Sequence, residues 1–250
     1  MQLTTLARQA IAEFLGSAGL VTVVIGSGIA AQRLSPQDVG LQLLENALAT
    51  GAGLAVLILA FGSVSGAHFN PVITLVDRVF GGVTARQVAV YVPAQLTGGA
   101  LGAVLANLMF DLSAISIATR ERSSTGLWLA EALATFGLVV LIFALVRTPA
   151  TSQIAFAVGA YITAAYWWSS STSFANPMID IARTLSNTFA GIAPASVPMF
   201  ILMQLVGATA GLLVVWTLFP QGPDRATKVV IPHETDTVEQ LSPLSGLEHR

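Results

Sequence analysis

Residues 65–71 read SGAHFNP and residues 171–177 read STSFANP, and these two stretches decide the fold. Each stretch ends in an Asn-Pro pair, which begins at Asn70 in the first and at Asn176 in the second. Asparagine is among the preferred N-cap residues, and proline is favoured at the first helical position. Each stretch therefore predicts a non-helical lead-in that ends at asparagine and a short helix that begins at proline.

The composition indicates a membrane protein. Of 250 residues, 54% are hydrophobic and 10% are charged, and the mean hydropathy is +0.75. Soluble domains carry about 25% charged residues. The chain has no cysteine, and its three histidines are not paired at short spacing, so we expect no disulfide, no metal and no cofactor. Its eleven Lys and Arg residues are spread thinly, so we expect no nucleic-acid partner.

Six segments are apolar enough to be helices that cross a bilayer, which needs about 20 residues. They cover residues 11–31, 46–61, 88–110, 127–146, 154–168 and 198–219. An even number of spans places both termini on one side of the membrane. Seven of the eleven Lys and Arg residues fall on that side, which favours cytoplasmic termini in the plasma (inner) membrane. The polar, proline-containing tail of residues 220–250 is predicted to be weakly ordered.

The chain also contains an internal repeat. AEFL at residues 12–15 resembles AEAL at residues 130–133, and the Gln-Leu pair at Gln95 resembles the pair at Gln204. Each copy has three spans and one Asn-Pro segment, and this odd number of spans requires the copies to insert in opposite orientations. The predicted boundaries are about 7–110 and 125–219, within one transmembrane domain of residues 1–219.

Two Gly-x-x-x-Gly pairs allow close approach between helices. They are Gly98 with Gly102, and Gly207 with Gly211. We expect them to form contacts between the two halves.

The two Asn-Pro helices are predicted to meet at mid-depth. A helix of ten residues is about 15 Å long, half of the roughly 30 Å hydrocarbon core. Each N-terminus carries about half a positive charge, and each asparagine oxygen caps its own helix, so we expect the amide N–H groups to be free for the lumen. Such a pore passes neutral molecules and excludes cations and protons. The predicted fold is an all-α integral membrane protein with six transmembrane helices, two re-entrant half-helices and inverted three-helix repeats.

Residues 65–71 resemble the first signature of the aquaporin and glycerol-facilitator, or major intrinsic protein, family, and residues 173–177 resemble the second. The resemblance covers about residues 7–219. It implies an aquaporin-like fold, a pore in each protomer and a homotetramer in membrane lipid. It also implies that the pore is lined by the backbone carbonyl groups of Gly66, Ala67, His68, Thr172, Ser173 and Phe174.

The sequence departs from the family pattern at three positions. The half-helices begin with Pro71 and Pro177 as in the family, but the alanine that follows in the family is Val72 in one copy and Met178 in the other. The family's arginine, three residues after the second asparagine, is Ile179 here. The other positions of the selectivity filter, carried over by spacing, are Thr50, Ala164 and Ser173.

A filter without an aromatic residue, histidine or arginine is expected to be wide and weakly polar. It predicts a bacterial aquaglyceroporin-like pore for glycerol-like polyols, urea-like molecules, neutral metalloid hydroxides such as arsenite, and water. A strict water channel is the alternative. An alternating-access transporter also uses inverted repeats, but it would need an ion-coupling group that the sequence does not offer. A membrane enzyme would need a catalytic cluster, and we identify no catalytic residue.

Charged residues in the spans leave several interpretations open. Arg183 lies two helical turns after Asn176 and could replace the missing filter arginine, but we favour a local pair with Asp180 or a solvated edge of the outer vestibule. Glu13 and Glu131 are expected to accept backbone N–H groups of the lead-ins rather than to relay protons. His68 is expected to be a fixed wall residue rather than a pH gate.

Overall fold

The computed structural model describes residues 3–148 and 150–220. These residues form eight α-helices: α1 Thr5–Leu34, α2 Val39–Ser65, α3 Pro71–Phe80, α4 Ala85–Met109, α5 Thr125–Val146, α6 Ile154–Trp168, α7 Pro177–Arg183 and α8 Val197–Leu218. Short 3-10 turns at Thr151–Gln153 and Pro194–Ser196 precede α6 and α8. The predicted tail of residues 220–250 lies, apart from residue 220, outside the described residues.

The long helices agree with the predicted spans. Helices α1, α2, α4, α5 and α8 are long and apolar enough to cross a membrane. Helix α6 has 15 residues and coincides with the fifth predicted span, and the 3-10 turn before it extends it. Helices α3 and α7 have ten and seven residues and are the half-helices. The all-α membrane fold with six long helices and two half-helices is confirmed.

Helix α2 begins seven residues before the predicted span because its polar first turns are satisfied inside the protein. Asp38 caps the helix by accepting a backbone N–H. Gln42 Nε2 donates to the Ser35 carbonyl oxygen over 2.8 Å, and Asn46 Nδ2 donates to the Val24 carbonyl oxygen over 2.9 Å. These side chains therefore bind backbone carbonyl groups of α1 and of the residue that follows it rather than water. We call this end of the bundle, where α1 ends and α2 begins, the distal end.

The two halves use the same internal packing, with α4 against α1 and α8 against α5. Glycine allows the close approach in both, because a Cβ at Gly98 would collide with the Phe14 carbonyl oxygen and one at Gly207 with the Ala132 carbonyl oxygen. The Gly-x-x-x-Gly pairs thus pack within each half. The expectation that they join the two halves is wrong.

The halves meet through other elements. Helix α2 packs against α6, and a Cβ on Gly159 would lie 2.5 Å from the Gly51 carbonyl oxygen, so neither position has room for a side chain. The half-helices also cross over, because α3 contacts α8 and α7 contacts α4. Each half therefore supports the half-helix of the other.

Candidate functional site

Both half-helices begin with a capping asparagine. The Val72 N–H donates to Asn70 Oδ1 over 2.9 Å, and the Met178 N–H donates to Asn176 Oδ1 over 3.0 Å. In both helices the proline after the asparagine occupies the first helical position, where a missing N–H costs nothing. The two half-helices therefore begin with the same cap and the same proline.

The asparagines also tie the two lead-ins to each other. Asn70 Nδ2 donates to the Ala175 carbonyl oxygen, and Asn176 Nδ2 donates to the Phe69 carbonyl oxygen, both over 2.8 Å. An amide nitrogen has two N–H donors, so one donor of each asparagine remains available. The expectation that both donors are free is therefore wrong. The reciprocal bonds hold the tips of α3 and α7 together.

The lead-ins adopt backbone angles that side chains disfavour. In the two lead-ins, positive φ occurs at five non-glycine residues: Ala67 at 51°, Phe69 at 45°, Thr172 at 66°, Ser173 at 51° and Ala175 at 47°. Such angles cost roughly 1 kcal/mol or more per residue. They persist only where surrounding bonds fix the chain, and in both lead-ins a buried carboxylate supplies those bonds.

Glu13 fixes the first lead-in. Its carboxylate accepts the His68 N–H over 3.0 Å and the Phe69 N–H over 2.8 Å. The Ser65 hydroxyl and Gln95 Nε2 donate to the same carboxylate over 2.6 and 2.7 Å. This charge is fully buried but has four donors around it, and bonds of this kind are the strong class.

Glu131 fixes the second lead-in in the same way. It accepts the Phe174 N–H over 2.9 Å and the Ala175 N–H over 2.8 Å, and Gln204 Nε2 donates over 2.7 Å. Neither glutamate lines the cavity that lies between the half-helices. Both glutamates instead hold the lead-ins in place by accepting their backbone N–H groups.

A cavity of about 70 Å³ lies at the meeting point of the half-helices, and both asparagines line it. A water molecule needs about 10–15 Å³ in this measure, so the cavity has room for several. Its polar lining consists of Thr50, His68, Asn70, Tyr166, Ser173, Asn176 and Arg183. Its apolar lining includes Leu20, Val24, Leu54, Ile58, Ile73, Leu138, Ile142, Ile154, Val158, Ile162 and Ile179.

Three of the four predicted filter residues line this cavity, namely Thr50, Ser173 and Ile179. The fourth, Ala164, does not line it and is exposed, so that assignment is wrong. On α6, Ile162 and Tyr166, which is one turn later, face the cavity. Position 164 is two residues from Ile162, about 200° around the helix, and therefore points away.

Tyr166 occupies the place that Ala164 was expected to fill. It is buried, lines the cavity and donates its hydroxyl to Thr50 Oγ1 over 3.2 Å. The lining thus contains an aromatic residue, contrary to the expectation of a filter without one. The signal was present in the sequence, because positions 154, 158, 162 and 166 form a four-residue period on one helical face.

The other predicted site residues divide into three groups. Ala67, His68, Ser173 and Phe174 line the central cavity, and Thr172 lines a second cavity of about 130 Å³ at the distal end. Gly66, Pro71, Val72, Pro177 and Met178 line neither of these two cavities. Met178 is fully buried and packs against Gly99 of α4, where the lack of a side chain makes room for its sulfur.

Arg183 is not at a solvated edge. It is 2% exposed, its Nε donates to the Ala190 carbonyl oxygen, and its guanidinium carbon lies 3.6 Å from the centroid of the Phe174 ring. Asp180 accepts instead from Gln204 Nε2 over 3.2 Å. The favoured pair between Asp180 and Arg183 is absent from the ion pairs of residues 3–148 and 150–220, so that interpretation is wrong. Arg183 lines both cavities.

His68 is held by the half-helix that follows it. Its Nδ1 lies 3.1 Å from Thr74 Oγ1, and its Nε2 lies 3.6 Å from Asp77 Oδ2. Gln95 Nε2 donates to the same threonine hydroxyl over 3.0 Å. The imidazole therefore has a defined place in the wall of the cavity. Over the described ranges, no group of three or more acidic or histidine side chains is placed to hold a metal ion.

Comparison with known proteins gives a consistent result. The profile of the family described as "Major intrinsic protein" matches residues 1–153. The chain is 46% identical over 224 residues to the aquaglyceroporin AqpS of Rhizobium meliloti, covering 89% of this chain and 95% of that protein. It is 31% identical over 147 residues to the glycerol uptake facilitator protein of Streptococcus pneumoniae, covering 53% of this chain and 62% of that protein.

A solved structure supports the fold. The X-ray structure of the aquaglyceroporin from Plasmodium falciparum matches with a TM-score of 0.66 and 19% identity, over 85% of this chain and 96% of that chain. At this identity the likeness concerns the fold alone. The family profile and the relative from Rhizobium carry the assignment. The chain belongs to the major intrinsic protein family.

Proposed function

We propose that the protein is a passive transmembrane channel for small uncharged solutes. The solutes are glycerol-like polyols, urea-like molecules, neutral metalloid hydroxides such as arsenite, and water. The observation that carries the proposal is the convergence of two asparagine-capped helix ends on one cavity with an otherwise largely aliphatic wall.

The electrostatics of this cavity disfavour cations. Each half-helix directs about half a positive charge towards the cavity, and each asparagine has one remaining N–H donor. The aliphatic wall cannot replace the hydration shell that an ion would lose, and that loss costs many kcal/mol for an isolated charge. A neutral solute avoids this cost, so the pore selects by charge first.

The same lining suits a polyol better than a purely polar pore would. A polyol has hydroxyl groups along one edge and C–H groups along the other. The asparagines, Thr50 and Ser173 offer hydrogen-bonding groups, while side chains such as Ile179 and Ile162 offer apolar contact. The name of the Streptococcus relative, a glycerol uptake facilitator, supports this solute class.

We assign the role of the filter arginine to Arg183. It lies four residues after Ile179, or about 6 Å further along α7, and it lines the cavity from the distal end. A cationic group here repels cations before they reach the asparagines. Glu13 and Glu131 are assigned the role of structural anchors, and His68 that of a fixed wall residue.

The surface supports insertion into a membrane and association of copies. Large apolar side chains are exposed along the long helices, for example Leu101, Leu133, Phe156, Leu202 and Trp216. We infer a homotetramer in the bacterial plasma membrane, with both termini cytoplasmic and residues 1–219 forming one channel domain. We assign no catalytic activity to the chain.

The test is stopped-flow light scattering with proteoliposomes that contain the full chain. Water, glycerol, urea and a neutral metalloid hydroxide are compared with protein-free liposomes. The proposal predicts that glycerol and water both equilibrate at least tenfold faster than in protein-free liposomes. Fast water with glycerol at the protein-free rate would establish the strict water channel instead. No acceleration of any solute would contradict the channel function.

A further inference from the structure

The second cavity, which we call the distal chamber, is unusually rich in arginine. It has a volume of about 130 Å³ and is lined by Arg120, Arg122 and Arg183 together with Asn46, Ser170 and Thr172. It lies where α2 begins, at the distal end, and Arg183 separates it from the central cavity because it lines both. On the proposed channel function, a solute that leaves the central cavity at this end passes the chamber.

Two of these arginines are buried without a paired counterion. Arg122 is 6% exposed and Arg183 is 2% exposed. Their guanidinium carbons lie 5.0 and 3.6 Å from the centroid of one aromatic ring, that of Phe174. Their hydrogen-bond partners are the neutral carbonyl oxygens of Gly191, Ser171 and Ala190. No carboxylate forms an ion pair with either arginine in the described part of the chain.

The nearby carboxylates are engaged elsewhere. Glu131 and Asp180 influence the arginines through space, but their oxygens accept from the second lead-in and from Gln204. Burial, followed by the charges of Arg183 and Arg120, lowers the pKa of Arg122 to about 8. Buried charges are normally paired, and an unpaired one is strongly destabilising. The chamber thus lacks the counterion that its charges require.

We propose that the distal chamber binds one small oxyanion, either a carboxylate or the anion of an inorganic oxyacid, between Arg122 and Arg183. The guanidinium group offers a planar fork of N–H donors that matches two oxygens of such an anion. Thr172 also lines this chamber, and its hydroxyl oxygen has no hydrogen-bond partner. It can serve as a further donor.

The site has a consequence for permeation and rests on the proposed channel function. Arg183 stands between the two cavities, so an anion bound to it occupies the route of a neutral solute. The bound anion therefore slows glycerol flux, and the anion itself is stopped at the central cavity by the aliphatic wall.

The test is glycerol-driven swelling of proteoliposomes in sodium chloride, sodium acetate or sodium phosphate. Each salt is present on both sides at equal ionic strength and osmolarity, so the orientation of the channel does not matter. We expect acetate, phosphate or both to slow glycerol at least twofold relative to chloride. Slowing by acetate alone identifies a carboxylate site, and slowing by phosphate alone identifies an inorganic oxyanion site. Equal rates in all three salts would overturn the inference.

Variants locate the effect. Arg122→Gln and Arg183→Gln should each abolish the difference in glycerol rate between salts. Arg122→Lys should reduce that difference at least threefold, because lysine lacks the planar fork of N–H donors. Arg33→Gln is the matched control, because Arg33 is exposed at the same end but does not line the chamber, and it should keep the full effect. An effect that persists in both glutamine variants would place the anion elsewhere and refute the assignment.

The experiment separates the two claims. If glycerol does not permeate even in chloride, the proposed function fails. If glycerol permeates in chloride at the same rate as in acetate and phosphate, only the anion site fails. The comparison of salts on the unmodified chain needs no variant, so a variant that fails to insert does not weaken it.

Discussion

Arg183 occupies in the second half of the chain the position that Asp77 occupies in the first, seven residues after the capping asparagine. Both side chains are buried, and they carry opposite charges. The carboxylate of Asp77 lies 3.6 Å from His68 Nε2, whereas the guanidinium of Arg183 stacks on Phe174. The two halves thus share a backbone plan but differ in charge at equivalent positions, and of these two residues Arg183 lines the central cavity whereas Asp77 does not.

The first prediction concerns the width of the filter. Ile179→Arg should reduce glycerol flux at least tenfold while water flux falls less than threefold, because a long cationic side chain would fill the apolar side of the cavity. The measurement is stopped-flow swelling with each solute. Ile179→Val is the matched control and should change neither flux more than twofold. Unchanged glycerol flux in Ile179→Arg would show that position 179 does not border the narrow part of the pore.

The second prediction concerns the reciprocal asparagine bonds. Asn176→Ala removes the cap of α7, worth about 1 kcal/mol, and the bond to the Phe69 carbonyl oxygen, worth about 1 kcal/mol. The free energy of unfolding should fall by about 2 kcal/mol, measured by denaturant titration in detergent. Asn70→Ala should cost a similar amount, because Asn70 makes the same two kinds of bond. A loss below about 0.5 kcal/mol in both would contradict the contact between the lead-ins.

The third prediction concerns the carboxylate anchors. Glu131→Gln replaces one acceptor oxygen by an N–H donor that faces a backbone N–H, so one lead-in bond is lost and one repulsive contact is created. Bonds to charged groups contribute about 1.5–3 kcal/mol, and we expect a loss of at least 2 kcal/mol in stability. Glu121→Gln, at an exposed position, is the control and should stay within about 0.5 kcal/mol of the original chain. Equal stability of both variants would remove the anchoring role.

The fourth prediction concerns the close packing of α8 on α5. Gly207→Ala would place its Cβ against the Ala132 backbone, and forcing the helices apart should cost about 1–3 kcal/mol. Gly126→Ala has open space, since its nearest atom outside the local backbone is 3.9 Å away, and it should be neutral or stabilising by up to about 1 kcal/mol. Circular dichroism during denaturant titration measures both. A neutral Gly207→Ala would show that α5 and α8 do not pack closely at this position.

Hydropathy and the Asn-Pro signals predicted the helices well for a physical reason. A bilayer requires long apolar runs, and a capping asparagine followed by proline marks a helix start locally. Both features depend on neighbouring residues alone. The start of α2 was misplaced because Gln42 and Asn46 are polar by type, yet they are satisfied by carbonyl groups of α1 that only the packed structure supplies.

The site was harder to predict because it depends on rotation and on contacts between distant residues. The family's filter position was assigned to Ala164 by its spacing from the asparagines, but residue 164 is on the wrong side of α6. The four-residue period of the cavity-lining residues of α6 leads to Tyr166 instead. The bond from Asn70 to the Ala175 carbonyl oxygen spans the two halves and has no sequence signal. Arg183 appeared close enough along α7 to pair with Asp180, but packing directs these side chains to different partners.

The most direct test of the central claim is the concentration dependence of glycerol flux through the full chain in proteoliposomes. A pore formed between two fixed helix tips predicts that the initial rate rises in proportion to glycerol up to several hundred millimolar. It also predicts that proton or sodium gradients leave the rate unchanged. Saturation in the low millimolar range, or a flux that collapses when an ionophore removes the gradient, would contradict a passive pore and indicate an alternating-access transporter.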